Sequence, residues 1–406
     1  MPARKNSTPF GADFHKLWAA SAISTLGDGI TMAAGPLLVA SLTHDPAPVA
    51  LAVFFQQLPW LLFGLVSGVY VDRLDRRRLV VAVNLVRATA LAALATAAAL
   101  QAVHLPFLYA VLFLLGTADT LADTASSALL PSVVARGDLA EANARLSLTF
   151  SVGNQFLAKP LGAWLFALAA AAPFATDALT FAAAAALTAA LRPRTTPAPP
   201  SVTAPRERIR TDLTTGVRWL ARQPLLRALT LTMAVGNLFF CAAFATFVLY
   251  AHRRLGLSGP GYGLLLTTFA LGGTLGTLTV RRLRHRWRAA TLLRAGLLVE
   301  TATHAALAAT TRVWLAAPVL VLFGVHTMVW GSIAATLHQR ATPDQLRGRV
   351  GSVRTLADLG SAALGSLFGA LLTRHLALTT PFWLAAAAML LTTACAWRPL
   401  SRAALD

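Results

Sequence analysis

Apolar runs of membrane-crossing length alternate with short polar breaks along the whole chain. Crossing the hydrocarbon takes about 20 mostly apolar residues per helix. Runs near 17–42, 47–70, 79–101, 106–130, 144–169 and 171–191 meet that length in the first part of the sequence. A further six follow near 224–250, 260–281, 290–310, 313–338, 350–373 and 380–397. The pattern predicts an all-α integral membrane protein with about twelve transmembrane helices.

Between the two sets lies "RPRTTPAPPSVTAPRERIR", whose prolines favour an extended linker. After it, Ile209, Leu213, Val217 and Leu220 fall on one helical face, which predicts an amphipathic helix lying on the membrane surface. The expected organisation is a six-helix bundle over 1–191, a linker over 192–222 and a second six-helix bundle over 223–406. An internal echo supports the repeat. "LPSVVARGDLAEANARLS" and "HQRATPDQLRGRVGSV" both stand between the fourth and fifth helices of their half. Secondary transporters built from such repeats carry their sites near the bilayer midplane, between the halves.

Composition agrees with the pattern. Hydrophobic residues make up 56% of the 406 and charged residues 13%, against about a quarter charged in soluble domains. Mean hydropathy is +0.62. The net charge of +19 would suggest nucleic acid in a soluble chain, but its placement argues otherwise. Basic residues gather at the N-terminus, 72–78, 136–145, 192–227, 281–288, 338–349 and the C-terminal tail, on every second connection. Arg253, Arg254, Arg312 and Arg374 weaken the contrast in the second half. Cytoplasmic loops collect Lys and Arg, so both termini are expected in the cytoplasm, with no nucleic-acid partner. Cys241 and Cys395 lie within apolar runs, with no metal-ligand spacing and no expected disulfide.

The loop after the second helix, "GVYVDRLDRRRLV", matches Gly-x-x-x-Asp-Arg-x-Gly-Arg-Arg at Gly68, Asp72, Arg73, Arg76 and Arg77, with Asp75 where Gly is usual. In that position it resembles the signature loop of the major facilitator superfamily. The resemblance implies that Asp72 approaches the start of the eleventh helix while the arginines bind nearby carboxylates and carbonyls, latching the halves. A plain positive-inside loop is the alternative. "FHKLWAASAISTLGDGITMAAGPLLV", "ADTLADTASSALLPSVV", "RWLARQPLLRALTL" and "TPDQLRGRVGSV" extend the likeness over nearly the whole chain. They resemble the enterobactin-exporter and macrolide-efflux branch, which implies efflux.

Five ionisable residues within the spans are the candidate proton or substrate site. Asp28 stands between Gly27 and Gly29 deep in the first helix, where an ionised carboxylate costs roughly 2.5–3.5 kcal/mol and calls for water, a partner or a proton. The glycines allow close helix approach or local unwinding. Asp119 and Asp123 share one face of the fourth helix; they are either a proton-carrying pair, or one of them, Asp123 by preference, neutralises Arg87 of the third. Lys159 stands in "FLAKPLGAW", where the family pattern has Gly-Pro-x-Gly-Gly. It is expected to pry the fifth helix from the eighth, with Gly272, Gly273 and Gly276 as the facing surface, or to point into a cavity. There it pairs with Asp28 or Asp119, or receives an anionic substrate. Glu300, His304 and His326 are the remaining candidates, a lone membrane histidine being more often a packing group; Arg354 and Asp358 read as an i,i+4 pair, and none of these is expected to meet substrate.

These readings lead to a monomeric, proton-coupled efflux carrier of the cell membrane, an antiporter for small amphipathic organic compounds such as drugs or secondary metabolites. Export of a siderophore or other anionic metabolite is the alternative cargo. A non-transporting membrane scaffold or sensor is the alternative class. There is no nucleotide-binding loop, no His-Glu-x-x-His and no Gly-x-Ser-x-Gly, so neither an enzyme nor a cofactor is expected.

Overall fold

The computed structural model describes residues 10–43, 45–64, 74–192 and 206–401. Helices account for every regular element among them. Ten are individually long and apolar enough to span a bilayer. In the first half these are α1 (Ala12–Leu42), α2 (Pro46–Phe63), α3 (Arg76–Ala99), α4 (Leu105–Val133) and α6 (Ala172–Ala189). Between α4 and α6 runs α5, which crosses in three joined pieces, Leu139–Phe150, the π-helical Ser151–Ala158 and Lys159–Leu168. The second half holds α7 (Pro224–Phe244), α8 (Gly259–Arg286), α9 (Ala289–Ala309), α10 (Val313–Ala341), α11 (Arg347–His375) and α12 (Thr380–Leu400). α9 carries Arg294 and Glu300. A break at Ala245–Thr246 separates α7 from a short helix, Phe247–Arg253, that completes its crossing.

The helices pair in the same way twice. α1 packs on α5 and α6, α2 on α4, and α3 on α4 and α6. α7 packs on α11 and α12, α8 on α10, and α9 on α10 and α12. Adding six to each number of the first set gives the second, so the internal repeat is one of packing as well as sequence. The halves meet through α2 with α11 and α5 with α8, two contacts that exchange under the same operation.

The starts of α1 and α3 meet the end of α6, Lys16 Nζ donating to the Ala190 carbonyl and Arg77 Nη1 to the Leu191 carbonyl; this side is called here the basic face. At the opposite, far face a single buried core joins the halves, with Leu37, Ala163 and Phe174 beside Phe247, Tyr250 and Tyr262. Toward the basic face the cores are separate, one holding Phe14, Leu17, Leu130 and Leu191, the other Leu229, Leu293 and Leu337. The described residues therefore close the far face.

Glycines set the closest contacts, though not the ones expected. On α8, a Cβ at Gly263 would come 2.8 Å from Ala163 Cβ and 3.1 Å from the Lys159 carbonyl oxygen. Lys159 thus does not pry α5 from α8, because its backbone carbonyl faces Gly263 and only its side chain, half-buried, needs room elsewhere. Gly272 and Gly276 instead face the backbone of α10 at Val321 and Val325, and Gly273 faces Met328 there.

Two other expectations change. The linker helix (Arg206–Ala221) docks on α11, with Gly216 against the Arg349 carbonyl and Leu220 in the second-half core. Val217 is exposed, so the predicted apolar face is split between protein and surroundings. Arg354 and Asp358 form no ion pair; Asp358 accepts from Asn237 Nδ2 at 3.1 Å, which ties α11 to α7.

Candidate functional site

Asp28 owes its setting to its two neighbours. A Cβ on Gly27 would overlap the side chains of Asp177 and Thr180 on α6. One on Gly29 would come 2.5 Å from Ala158 Cβ and 2.9 Å from the Asn154 carbonyl oxygen of α5. α1 stays continuous through both glycines, so they serve close approach rather than unwinding, wedging α1 between α5 and α6. The π-helical turn of α5 belongs to this wedge. π-Helical turns loosen the backbone ladder and recur at functional sites; here Asn154 Nδ2 donates to the Thr25 carbonyl at 3.0 Å.

Arg87 reaches in from α3. One guanidinium nitrogen, Nη2, donates to Asp28 Oδ1 at 2.6 Å and also to Asp119 Oδ1 of α4. Its Cζ lies 3.8 Å from the centre of the Phe181 ring of α6. Only 4% of Arg87 is exposed, and Nε finds no hydrogen-bond partner. Four helices thus converge on one cation. Among the described ion pairs, Arg87 rather than Lys159 is the cation joined to Asp28 and Asp119.

The residue bound to Arg87 on α4 is Asp119; Asp123 takes no hydrogen bond or ion pair among the described residues. One turn along α4, it faces open space. A fourth carboxyl, Asp177, was not singled out in the sequence. It is 1% exposed and accepts from Thr31 Oγ1 at 2.5 Å and from Thr180 Oγ1 at 2.9 Å. A lone Asp inside the apolar run "FATDALTF" was the signal, the same one that marked Asp28.

Two cavities meet at this group. One, about 260 Å³, passes Leu17, Ser21, Asn84 and Leu130 toward the basic face. The other, about 240 Å³, extends past Gln56, Trp60, Asn154 and Phe181. Asp28, Arg87 and Asp123 line both. The second half encloses a separate cavity of about 250 Å³ among α7, α8, α9, α10 and α11, walled by aromatic rings and reached by Glu300 and His326. Those two, which the sequence did not favour for substrate, are bonded to each other across α9 and α10 at 3.3 Å.

Of the signature loop, Gly68, Asp72 and Arg73 lie outside the described residues. Arg76 opens α3, and Arg77 Nη1 donates to the Leu191 carbonyl at 2.7 Å, within its own half. Asp75, standing where the family has Gly, caps α3 by accepting from the Arg78 amide at 2.9 Å.

Comparison with known proteins agrees with this architecture. The enterobactin exporter EntS of Salmonella typhimurium is 29% identical over 385 residues, covering 89% of this chain and 86% of that one. EntS of Citrobacter koseri is likewise 29% identical over 386 residues, with the same coverage. Among solved structures, a point mutant of the nucleoside transporter NupG superposes with a TM-score of 0.78 at 11% identity over 96% of this chain and 99% of that one. A bacterial homologue of the iron transporter ferroportin, in its inward-facing state, superposes with 0.74 at 18% identity, with the same coverage. The family model for transmembrane secretion effectors matches residues 6–402, and the chain accordingly belongs to that family of multi-pass major facilitator transporters.

Proposed function

We propose that the chain is a secondary exporter of small amphipathic organic compounds, such as drugs or secondary metabolites, driven by protons exchanged at the Asp28–Arg87–Asp119 group. The observation that carries the reading is the shared guanidinium, one buried cation bound to carboxylates of two other helices. Four carboxyl groups, those of Asp28, Asp119, Asp123 and Asp177, surround a single arginine. A cluster so rich in carboxyls has room to bind and release protons. Protonating Asp28 or Asp119 releases one arm of Arg87, and that release lets α1 and α3 shift relative to α4. The repeated pairing of helices supports 1–191 and 223–406 as the units that move, with the linker 192–222 between them.

Orientation follows from charge. Arg-rich loops on one face support a cytoplasmic basic face with both termini inside, and a carrier open toward the cytoplasm in this conformation. The carrier acts as a monomer in the lipid bilayer.

A second reading, export of a siderophore or another anionic metabolite, is favoured by the relatives named as enterobactin exporters.

Proteoliposomes with an imposed pH gradient test the first reading. Wild-type protein should move cargo against its gradient only while the proton gradient lasts. Asp28→Asn should abolish uphill movement and leave the protein folded. Uphill transport by Asp28→Asn equal to wild type would refute the coupling role.

A further inference from the structure

The second-half cavity differs in chemistry from the first. Three rings wall it, with centroids 6.2 Å apart for Phe240 and Phe269, 5.7 Å for Phe240 and Phe323, and 5.5 Å for Phe269 and Phe323. Trp330 adds a fourth, held in place by its Nε1 donating to the Leu293 carbonyl at 3.2 Å. Such a wall suits a flat apolar body, since aromatic pairs favour offset or edge contacts at these separations.

At one end the wall turns polar. Glu300 Oε2 lies 3.3 Å from His326 Nε2, and two glycines make space for the pair. A Cβ at Gly236 would stand 2.8 Å from Glu300 Oε1, and one at Gly296 would stand 2.7 Å from His326 Nδ1. His326 is 9% exposed, yet its Nδ1 has no hydrogen-bond partner. That nitrogen lies against Gly296 of α9, and it is Nε2 that meets Glu300. Asp358, bonded to Asn237, closes another side. Neither lysine nor arginine lines this cavity among the described residues. Asp358 lies between this cavity and an adjoining one that Arg354 lines and already accepts from Asn237, whereas Glu300 lines only the aromatic chamber.

We propose that this cavity is the cargo-recognition site, taking a compound with an aromatic body of about two fused rings and a protonated amine that Glu300 accepts. The proposal rests on the reading of the chain as an exporter and narrows its cargo. It runs against an anionic cargo, because the lining holds the acidic side chains Glu300 and Asp358 and, among the described residues, neither lysine nor arginine, and because Arg87 in the other half is already engaged by Asp28 and Asp119.

An isosteric series tests it by calorimetric titration of the purified full-length protein in detergent micelles. Tryptamine carries a cation, tryptophol is neutral and indole-3-propionate carries an anion on the same ring. Tryptamine should bind at least tenfold more tightly than indole-3-propionate, with tryptophol between them. Glu300→Gln should weaken tryptamine at least tenfold and narrow the spread of the series. Should Glu300→Gln fail to fold, Gly331→Leu serves instead, since Gly331 lines the cavity and a Cβ there meets nothing within 4 Å. The leucine should fill the chamber and abolish binding of all three. Equal affinities, a preference for the anion, or tryptamine binding untouched by Gly331→Leu would each overturn the proposal. Binding in micelles needs no transport, so binding of tryptamine without export in vesicles would count against the exporter reading alone.

Discussion

Arg87 of α3 places its guanidinium carbon 3.8 Å from the centre of the Phe181 ring of α6 while donating to carboxylates on α1 and α4. The ring adds a cation–π contact to the two ion pairs. A desolvated cation–π contact is worth about 2 kcal/mol. Phe181→Leu should keep the volume largely filled, lower the thermal unfolding midpoint and slow transport, whereas Phe181→Tyr should retain both. Unfolding in detergent and vesicle uptake measure the two effects, and equal behaviour of the Leu and Tyr variants would deny the ring any electrostatic part.

Removing Arg87 should be far more damaging than removing its ring. Taking one partner from a buried ion pair costs about 3–5 kcal/mol, because the remaining charge is stranded. Arg87→Gln is expected to express poorly and melt early. The triple variant Arg87→Gln, Asp28→Asn, Asp119→Asn removes the stranded charges as well and should recover most of the stability without any transport. Fluorescence-detected size-exclusion after heating reports the stability, and a triple variant no better than the single one would mean that the group's charges are not what binds the four helices.

Ten of the helices were legible in the sequence because each obeys one requirement, enough apolar residues to cross the bilayer with its backbone bonded internally. Helix five was the exception in detail, since nothing in "SVGNQFLA" announces a π-helical turn, which lies where α1 comes close at Gly29. Asp28, Arg87 and Asp119 could be flagged singly, as charges out of place in apolar runs. Their partners could not be chosen from sequence, because three helices separated by long stretches of chain must first be packed before Arg87 is nearer to Asp119 than to Asp123. Likewise Gly272 and Gly276 announce a close contact without saying with which helix, and α10 proved to be the neighbour.

Lys159 illustrates the same limit and yields a further expectation. Its backbone already makes the contact with Gly263 that a glycine at 159 would make, so Lys159→Gly should leave the α5–α8 seam and the expression level as they are. Any change must come through the half-buried side chain. The set of exported compounds should therefore shift, measured as efflux from cells against a panel of compounds. An unchanged set would leave the side chain a packing group.

Asp75 offers a test outside the membrane core. Its carboxylate accepts from the Arg78 amide at 2.9 Å and so caps the first turn of α3, at the position where the signature loop resembled here has Gly. Asp and Gly are both tolerated at an N-cap. Replacing Asp by Ala costs about 0.5–2 kcal/mol and by Gly only a few tenths. Asp75→Ala should lower the unfolding midpoint measurably and Asp75→Gly scarcely at all. If transport falls in Asp75→Gly although the midpoint holds, the carboxylate does more than cap, and the loop between α2 and α3 uses it in the cycle. If the two variants melt together well below wild type, the cap is not what Asp75 contributes.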